Sequence, residues 1–427
     1  MELKKITIDG YKNVVNTTID FYDITSILSL NNYGKSNLLS AIVFGLSFMQ
    51  NPTKIKQQMM NDIKCIPLLK VGSDSFSFKI EVDTQINNNM YSVEYMYSFK
   101  WGVPNKYFGE ILSECLKIKS EGGFNRYIIR ENGEAYYRTS LSGRCSKKIA
   151  IDKNELVLCK IKAYDDLFYL EIVKQLLENL NAYVDRHFDS SSGYNLTFMS
   201  EKELEDLTLK PALNIPKTLY NIKKKNHDKF ELIKNVFISM FPSIQDIIVK
   251  ENIMNIGSQL KMETEDGLVL FSEKTYSLYQ KNKNLKSIIN FSALSDGAKR
   301  ILLLLTFIVV ANINGYSLIC IEEPENSIHP KLLRSFLYSI SELAGHTKLL
   351  FTSHSPYLIN YMDPWKIYLG MPNDIGMAQF KKIKDGTNAT KRLLNDVENY
   401  NMLLGEYLFD LMSGSEDDLE DLISYVE

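Results

Sequence analysis

Between Ser75 and Trp101 apolar residues fall on alternate positions: Phe76, Phe78, Ile80 and Val82, then Tyr91, Val93, Tyr95 and Tyr97. Period two on either side of the polar Asn87-Asn88-Asn89 predicts a β-hairpin. Shorter strand patterns precede it at residues 2–8, Thr17–Phe21 and Ile24–Leu28. Two more follow at Ile111–Lys119 and Arg126–Arg130, the second turned by Asn132-Gly133. Within this β-rich stretch, Leu38, Leu39, Ile42, Val43 and Leu46 recur at helical spacing until Asn51-Pro52 ends the run.

The pattern changes after Asp152. Apolar residues at 167, 170, 173, 176, 177, 180 and 184 predict one amphipathic helix over Leu167–Phe188. Glu201–Leu209 and Lys229–Phe241 suggest further helices, and Ile244–Val249, Gln259–Glu263 and Leu268–Phe271 suggest strands. The longest apolar run, Ile301–Ile313, is too short to span a bilayer and reads as a buried core helix. Tyr316–Ile321 and Lys348–Phe351 read as buried strands, separated by a helix starting at Pro330. At the end of the chain, Ser415 and Asp418 can form a capping box, and Leu419, Leu422, Ile423 and Val426 share one face. Packing of this last helix on its own domain is favoured over docking of a partner.

Composition narrows the class. The 427 residues are 45% hydrophobic and 24% charged, as in ordinary globular proteins, and a net charge of −3 gives no global reason to bind nucleic acid or membrane. The five cysteines (65, 115, 145, 159, 320) are scattered without CxxC spacing, which argues against a disulfide framework or zinc site and for a reducing cytoplasm. Met-Glu-Leu-Lys-Lys-Ile is no signal peptide. Lysines at 217, 223, 224, 225 and 229 form a basic patch that could meet nucleic acid. A solvated helix face is the favoured reading, because no aromatic ladder accompanies it.

Candidate chemistry sits at strand ends. Ser29-Leu30-Asn31-Asn32-Tyr33-Gly34-Lys35-Ser36 lies between a strand and a helix and meets every fixed position of the Walker A pattern except the first Gly. Leu294-Ser295-Asp296-Gly297 opens the apolar helix at 301, a hydroxyl and backbone N–H groups on a helix N-terminus; alone, it is equally a plain N-cap turn. Glu322 and Glu323 follow a buried strand, where one carboxylate could hold Mg²⁺ and the other polarise a water. Thr352-Ser353-His354 ends the next buried strand, and ligands of open α/β sheets bind at that edge.

In this order, Asn31 to Leu39, Leu294 to Gly297, Ile321 to Asn326 with His329-Pro330, and Thr352 to Pro356 resemble the motif series of ABC-type ATPases. The resemblance is to the branch holding SMC and RecF heads, OLD nucleases and the AAA-family ATPases of bacterial anti-phage systems. It implies an α/β P-loop NTPase fold: an ATPase head with a β-rich N-terminal lobe and a largely helical insertion. The head would comprise residues 1–150 and 243–427, the insertion 151–242.

The resemblance also implies a cofactor, ATP with Mg²⁺, and a role for each residue. Asn31, Asn32, Tyr33, Gly34, Lys35, Ser36 and Asn37 would bind nucleotide, with the Ser36 hydroxyl and Glu322 on the metal. Glu323 would be the general base and His354 the switch histidine. Ser295 and Gly297 would complete the site of the opposite subunit in a homodimer.

Three departures accompany it. Ser29 replaces a Gly, which would strain the loop if φ had to be positive there. Asp296 stands for a second signature Gly. The Q-loop glutamine is assigned only as Gln50. No acidic triad of a TOPRIM nuclease, long coiled coil or membrane span appears in the sequence. The preferred expectation is a sensor or scaffold ATPase in anti-phage defence, working with a separately encoded nuclease or toxin. The alternatives are a RecF-like DNA-binding head and a nucleotide-binding scaffold with negligible turnover.

Overall fold

The period-two stretch does form a hairpin, because Asn87 and Asn88 both take positive φ (48° and 67°), the conformation a tight hairpin turn demands and Asn tolerates. The computed structural model describes residues 1–67, 74–103, 107–120, 123–164, 166–185, 194, 207, 209, 214–253, 261–264, 267–270, 274–386 and 388–427.

In chain order the elements begin with β1 (Glu2–Asp9), β2 (Thr17–Asp20), β3 (Ile24–Ser29), α1 (Lys35–Gln50) and α2 (Thr53–Met60). The β-rich stretch gives β4 (Ser75–Ile86), β5 (Asn89–Lys100), β6 (Glu110–Ser120), β7 (Gly123–Glu131), β8 (Glu134–Tyr137) and β9 (Lys147–Ile149). Next come α3 (Val157–Ile161), α4 (Leu170–Glu178), β10 (Ala182–Asp185), α5 (Ile215–Lys225) and α6 (His227–Met240). Strands β11 (Ile244–Ile253), β12 (Lys261–Thr264), β13 (Gly267–Leu270), β14 (Lys274–Asn282) and β15 (Ile289–Asn290) lead to α7 (Asp296–Ile313). The remainder is β16 (Leu318–Glu322), α8 (Pro330–Ala344), β17 (Lys348–Ser353), α9 (Pro356–Ile359), β18 (Ile367–Pro372), β19 (Ala378–Lys382), α10 (Asn388–Asn399), α11 (Leu404–Ser413) and α12 (Glu416–Ser424).

The helix expected over Leu167–Phe188 is shorter. It stops at Glu178, and Ala182–Asp185 instead adds an edge strand beside β16. Leu180 and Val184 fit helical spacing, but the asparagines at 179 and 181 break the helix, and Tyr and Val favour strand. The helix expected at 201–209 lies, but for Leu207 and Leu209, outside the described residues, as do residues 259–260 of an expected strand.

The chain divides into two compact units. The first contains Met1–Val184, Tyr316–Glu322 and His346–Glu427. Its larger sheet is antiparallel throughout, in the order β2-β1-β4-β5-β6-β7-β8-β9. Alternate residues of β4 and β5 are buried and meet α1: Phe48 stacks on Phe99 at 4.7 Å, Phe44 meets Phe76 edge-on at 5.2 Å, and the Tyr97 hydroxyl donates to the Gly45 carbonyl at 2.7 Å. Such aromatic pairs each add about 0.5–1.5 kcal/mol beyond area burial. This packing fixes α1, whose first residues carry the Gly-Lys-Ser motif.

The smaller sheet runs β10-β16-β17-β3-β18-β19. Strands β16, β17, β3 and β18 are parallel, and β3 and β17 are buried at every position. Burial on both faces explains the Leu349–Phe351 run of β17, and in β3 it takes in Thr25 and Ser26 as well as Ile24, Ile27 and Leu28. Helices α10–α12 close a separate apolar cluster that includes Leu28, Leu393, Leu408, Leu422 and Tyr425. The last helix therefore packs on its own unit, with the expected Ser415–Asp418 capping box, although Ile423 turns outward and is 49% exposed.

The second unit contains Asp185–Gly315 and Glu323–Gly345. In it α5 and α6 pack on β11, and α7 packs on α6 and α8. Arg300 through Ala311 are all buried, as an apolar run without a polar face requires. The basic patch is thinner than its sequence suggests, since Lys217 is buried, while Lys223, Lys224 and Lys225 are exposed. Among the described residues, no helix is long and apolar enough to cross a membrane.

Candidate functional site

The loop after β3 is shaped by two left-handed residues, Asn32 (φ 66°) and Gly34 (φ 85°). Gly34 is required twice over. Its φ favours glycine, and a Cβ there would lie 2.8 Å from the Ala378 Cβ and 3.1 Å from the Asn13 side chain. Gly34 is also the N-cap of α1, with no side-chain cap and no acidic residue in the first turn. The N–H groups of this 16-residue helix therefore present an uncompensated positive end, as an anion requires.

Lys35 folds back over the loop. Its ammonium donates to the Ser29 carbonyl at 2.6 Å, the Leu30 carbonyl at 3.0 Å and the Ser29 hydroxyl at 3.2 Å. Asn37 is tied to the Gly10–Asn13 turn, its amide donating to the Asn13 side chain at 2.7 Å and its carbonyl accepting from Lys12 at 3.4 Å. The motif alone does not show this buttress, because nothing in its local pattern pairs it with a turn 24 residues upstream.

Ser29 does not strain the loop. It is the last residue of β3, fully buried, with extended backbone and without positive φ. The strain expected from the missing glycine is absent because the left-handed positions are 32 and 34. Ser29 instead faces Gly370 on β18, where a Cβ would lie 2.7 Å from that of Ser29.

Register brings three strand ends to one sheet edge. Glu322 pairs with Thr352, Thr352 with Ile27, and Ser353 with Leu28. Strands β16, β17 and β3 thus finish side by side, and His354, half-buried, leaves directly after β17. The Ser353 hydroxyl accepts from Ser355 N at 2.9 Å and donates to the Ser355 carbonyl at 3.0 Å, fixing the exit. Glu322 lies two strands from β3, roughly 10 Å across the sheet. Gln50, by contrast, is at the far end of α1, roughly 22 Å from Lys35 at 1.5 Å per residue. It donates to the Leu180 carbonyl, so it does not reach the loop.

In the second unit, Glu323 takes φ 51°, uncommon for a residue with a Cβ. Its carbonyl accepts from Asn326 N (3.2 Å) and from Arg300 (3.0 Å), and its carboxylate accepts from the Asn326 amide at 2.7 Å. Ser295 caps α7 by accepting from Ala298 N at 3.4 Å, and Gly297 lies so close to the following turn that a Cβ would be 2.7 Å from the Ser327 carbonyl oxygen. Arg300 was not singled out from sequence: a cation beside an apolar run reads as surface.

The phosphate loop, the parallel strands and the ordered strand-end residues make this an α/β P-loop fold. A family model described as "AAA domain, putative AbiEii toxin, Type IV TA system" matches residues 171–360. The match takes in Ser295, Glu322, Glu323 and His354, whereas the phosphate loop precedes it. Among solved structures, the chain is similar to an SMC head bound to the C-winged helix domain of ScpA (13% identity, TM-score 0.47, covering 92% of this chain and 100% of that one). It is also similar to the SMC head domain from Thermotoga maritima (12%, 0.41, 90% and 100%). A third is an SMC head with an extended coiled coil, bound to the C-terminal domain of ScpA derived from Pyrococcus furiosus (12%, 0.45, 94% and 99%). No curated protein matches the chain.

Mg²⁺ with ATP fits the residues present. Among the described residues, no group of three or more His, Cys, Asp or Glu could hold a metal. The site offers hard oxygen donors, the Ser36 hydroxyl and the Glu322 carboxylate, of the kind that bind Mg²⁺ jointly with phosphates.

Proposed function

We propose that the chain binds ATP with Mg²⁺ and hydrolyses it, and that turnover controls a separate effector. The observation that carries this reading is the register placing Glu322, Thr352–Ser353 and Leu28–Ser29 at one edge, beside a loop whose Lys35 is already held over it. Lys35 and the Asn31–Asn37 backbone hold the phosphates, and the α1 N-terminus adds favourable dipole potential. Ser36 and Glu322 hold Mg²⁺, which when bound neutralises charge developing on the phosphates. Glu323, next in the chain, accepts the proton of the attacking water, and His354 orients the terminal phosphate. Ser295 and Gly297 serve the site of a second copy, so the working form is a homodimer.

The matched family's description names a toxin and a type IV TA system. It supports a bacterial defence setting in which this ATPase is the sensor or scaffold and a separately encoded nuclease or toxin is the effector. The unstrained Ser29 supports turnover over a dulled scaffold.

The test is hydrolysis and nucleotide binding by the purified chain. Glu323→Gln should keep ATP binding and lose about 10²–10⁴-fold in rate, and Lys35→Ala should lose binding. Equal rates for wild type and Glu323→Gln refute the hydrolytic reading. Phage restriction by Lys35→Ala at the wild-type level refutes nucleotide control of defence. Affinity purification from the host identifies the effector.

A further inference from the structure

Glu323 would not hold its backbone conformation unaided. Positive φ at a residue with a Cβ costs about 1–3 kcal/mol and persists only where the surroundings over-determine it. Two contacts from the start of α7 supply that constraint within the second unit. Arg300, 4% exposed, donates through Nη2 to the Glu323 carbonyl at 3.0 Å. One turn earlier, Gly297 seats against the Ser327 carbonyl, where any side chain would collide, and Ser327 is itself left-handed (φ 64°). The Glu323–Ser327 turn is thus held at both ends by one helix.

The charges agree with the geometry. Burial lowers the affinity of the Arg300 guanidinium for its proton, while Asp185, Glu325 and Glu323 act in the opposite direction. Arg300 therefore sits as a buried cation among carboxylates, and its planar fork can serve a carbonyl and an acid together, which a lysine ammonium cannot do in fixed geometry. No other signature-turn residue reaches Glu323 in this way among the described hydrogen bonds: Lys299 pairs with Asp296 at 3.5 Å, and Ser295 caps its own helix.

We propose that Arg300 is a positioning residue for Glu323: it pins the Glu323 carbonyl in the left-handed turn and thereby aims the carboxylate. The signature turn and the carboxylate turn of one chain are in this way mechanically linked, so that whatever engages Ser295 and Gly297 is felt at Glu323. The kinetic part of this inference rests on the reading of Glu323 as general base; the positioning part does not.

The test uses the full chain with Arg300→Gln and Arg300→Lys. Arg300→Gln should lower kcat by about 10–100-fold, the usual effect of a misplaced group, with the ATP Kd within about threefold of wild type. Arg300→Lys should fall between. In the Arg300→Gln/Glu323→Gln double variant the rate should match Glu323→Gln alone, since an aimed group that is gone cannot be misaimed.

Amide hydrogen exchange gives a readout independent of turnover. Residues 323–329 should exchange faster in Arg300→Gln while the core of α7 keeps its protection. Wild-type kcat in Arg300→Gln, or multiplicative losses in the double variant, overturn the kinetic part. Unchanged exchange at 323–329 overturns the positioning part. If Arg300→Gln does not fold, Arg300→Lys carries the same two measurements. If Glu323→Gln turns over like wild type, the base assignment fails, and the kinetic part with it; exchange at 323–329 still decides the positioning part.

Discussion

The Lys35 ammonium lies 2.6 Å from the carbonyl oxygen of Ser29, the residue that replaces the first glycine of the phosphate-loop pattern. The same ammonium takes the Ser29 hydroxyl at 3.2 Å, so the substitution adds a ligand to the lysine and no strain to the loop. Restoring glycine should bring no benefit. Ser29→Gly should leave nucleotide Kd within about threefold of wild type and destabilise the chain by about 0.5–1 kcal/mol, the entropic cost of glycine in a strand. Isothermal titration with ATP and urea unfolding test the two parts.

Gly370 is the complement of Ser29. A Cβ at 370 would lie 2.7 Å from both the Ser29 Cβ and a Phe380 ring carbon. Gly370→Ala should therefore cost about 1–3 kcal/mol by overpacking. Ser29→Gly removes one of the two collisions, so the double variant should be more stable than the sum of the single losses predicts. Strict additivity in denaturant unfolding would refute the contact.

In the β-rich lobe, Glu114 and Arg130 face each other across β6 and β7 and grip the chain that enters α3. Glu114 accepts from Val157 N (2.6 Å), Leu158 N (2.8 Å) and the Tyr95 hydroxyl (2.9 Å), while Arg130 donates to the Asp152, Lys153 and Glu155 carbonyls. Burial pushes the Glu114 carboxyl up, opposed by those three donors and by Arg130. Glu114→Ala leaves the donors buried without an acceptor and should cost about 3–5 kcal/mol, read by chemical denaturation. Glu114→Gln, which keeps an acceptor, should cost less.

Glu2 at the start of β1 and Lys348 at the start of β17 pair at 2.8 Å. Burial raises the Glu2 carboxyl, but Lys348 and Lys4 outweigh it and hold it down to about 2. A carboxyl lowered in the folded state stabilises it fully above its unfolded pKa, near 4.5, and loses that contribution as pH falls towards 2. The stability gap between wild type and Glu2→Gln should thus be constant from pH 7 to about 5 and close between about 4.5 and 2. A gap that persists at pH 2 would show that the pair is not its source.

What was legible in the sequence was what local spacing determines. The hairpin at 75–100 showed through period two and its asparagines, and the strand-end residues showed because buried parallel strands read as apolar runs that stop at polar clusters. The overlong helix at 167–188 arose because Leu180 and Val184 continue the helical spacing, although Leu180 lies in the connection after α4 and Val184 in β10. The roles of Asn13, Gly370 and Arg300 were not legible, since each acts on a residue far along the chain: Asn37, Ser29 and Glu323. Arg300 is the plainest instance, because its burial comes from the turn at 323–327 and nothing near residue 300 announces it.

The order of strands in the smaller sheet also bears on how the protein is made. Strand β3 is complete at Ser29, yet both of its neighbours, β17 and β18, begin only at Lys348 and Ile367. At about 5–20 residues per second, β3 waits roughly 15–65 s on the ribosome before its first sheet partner emerges. Throughout that interval a strand that is buried at every position in the finished fold, and that bears the phosphate loop, has both edges bare, a template for wrong pairing. A nascent chain released before β17 is made would carry Lys35 and Ser36 but no sheet to hold them, and its fate would be aggregation or degradation.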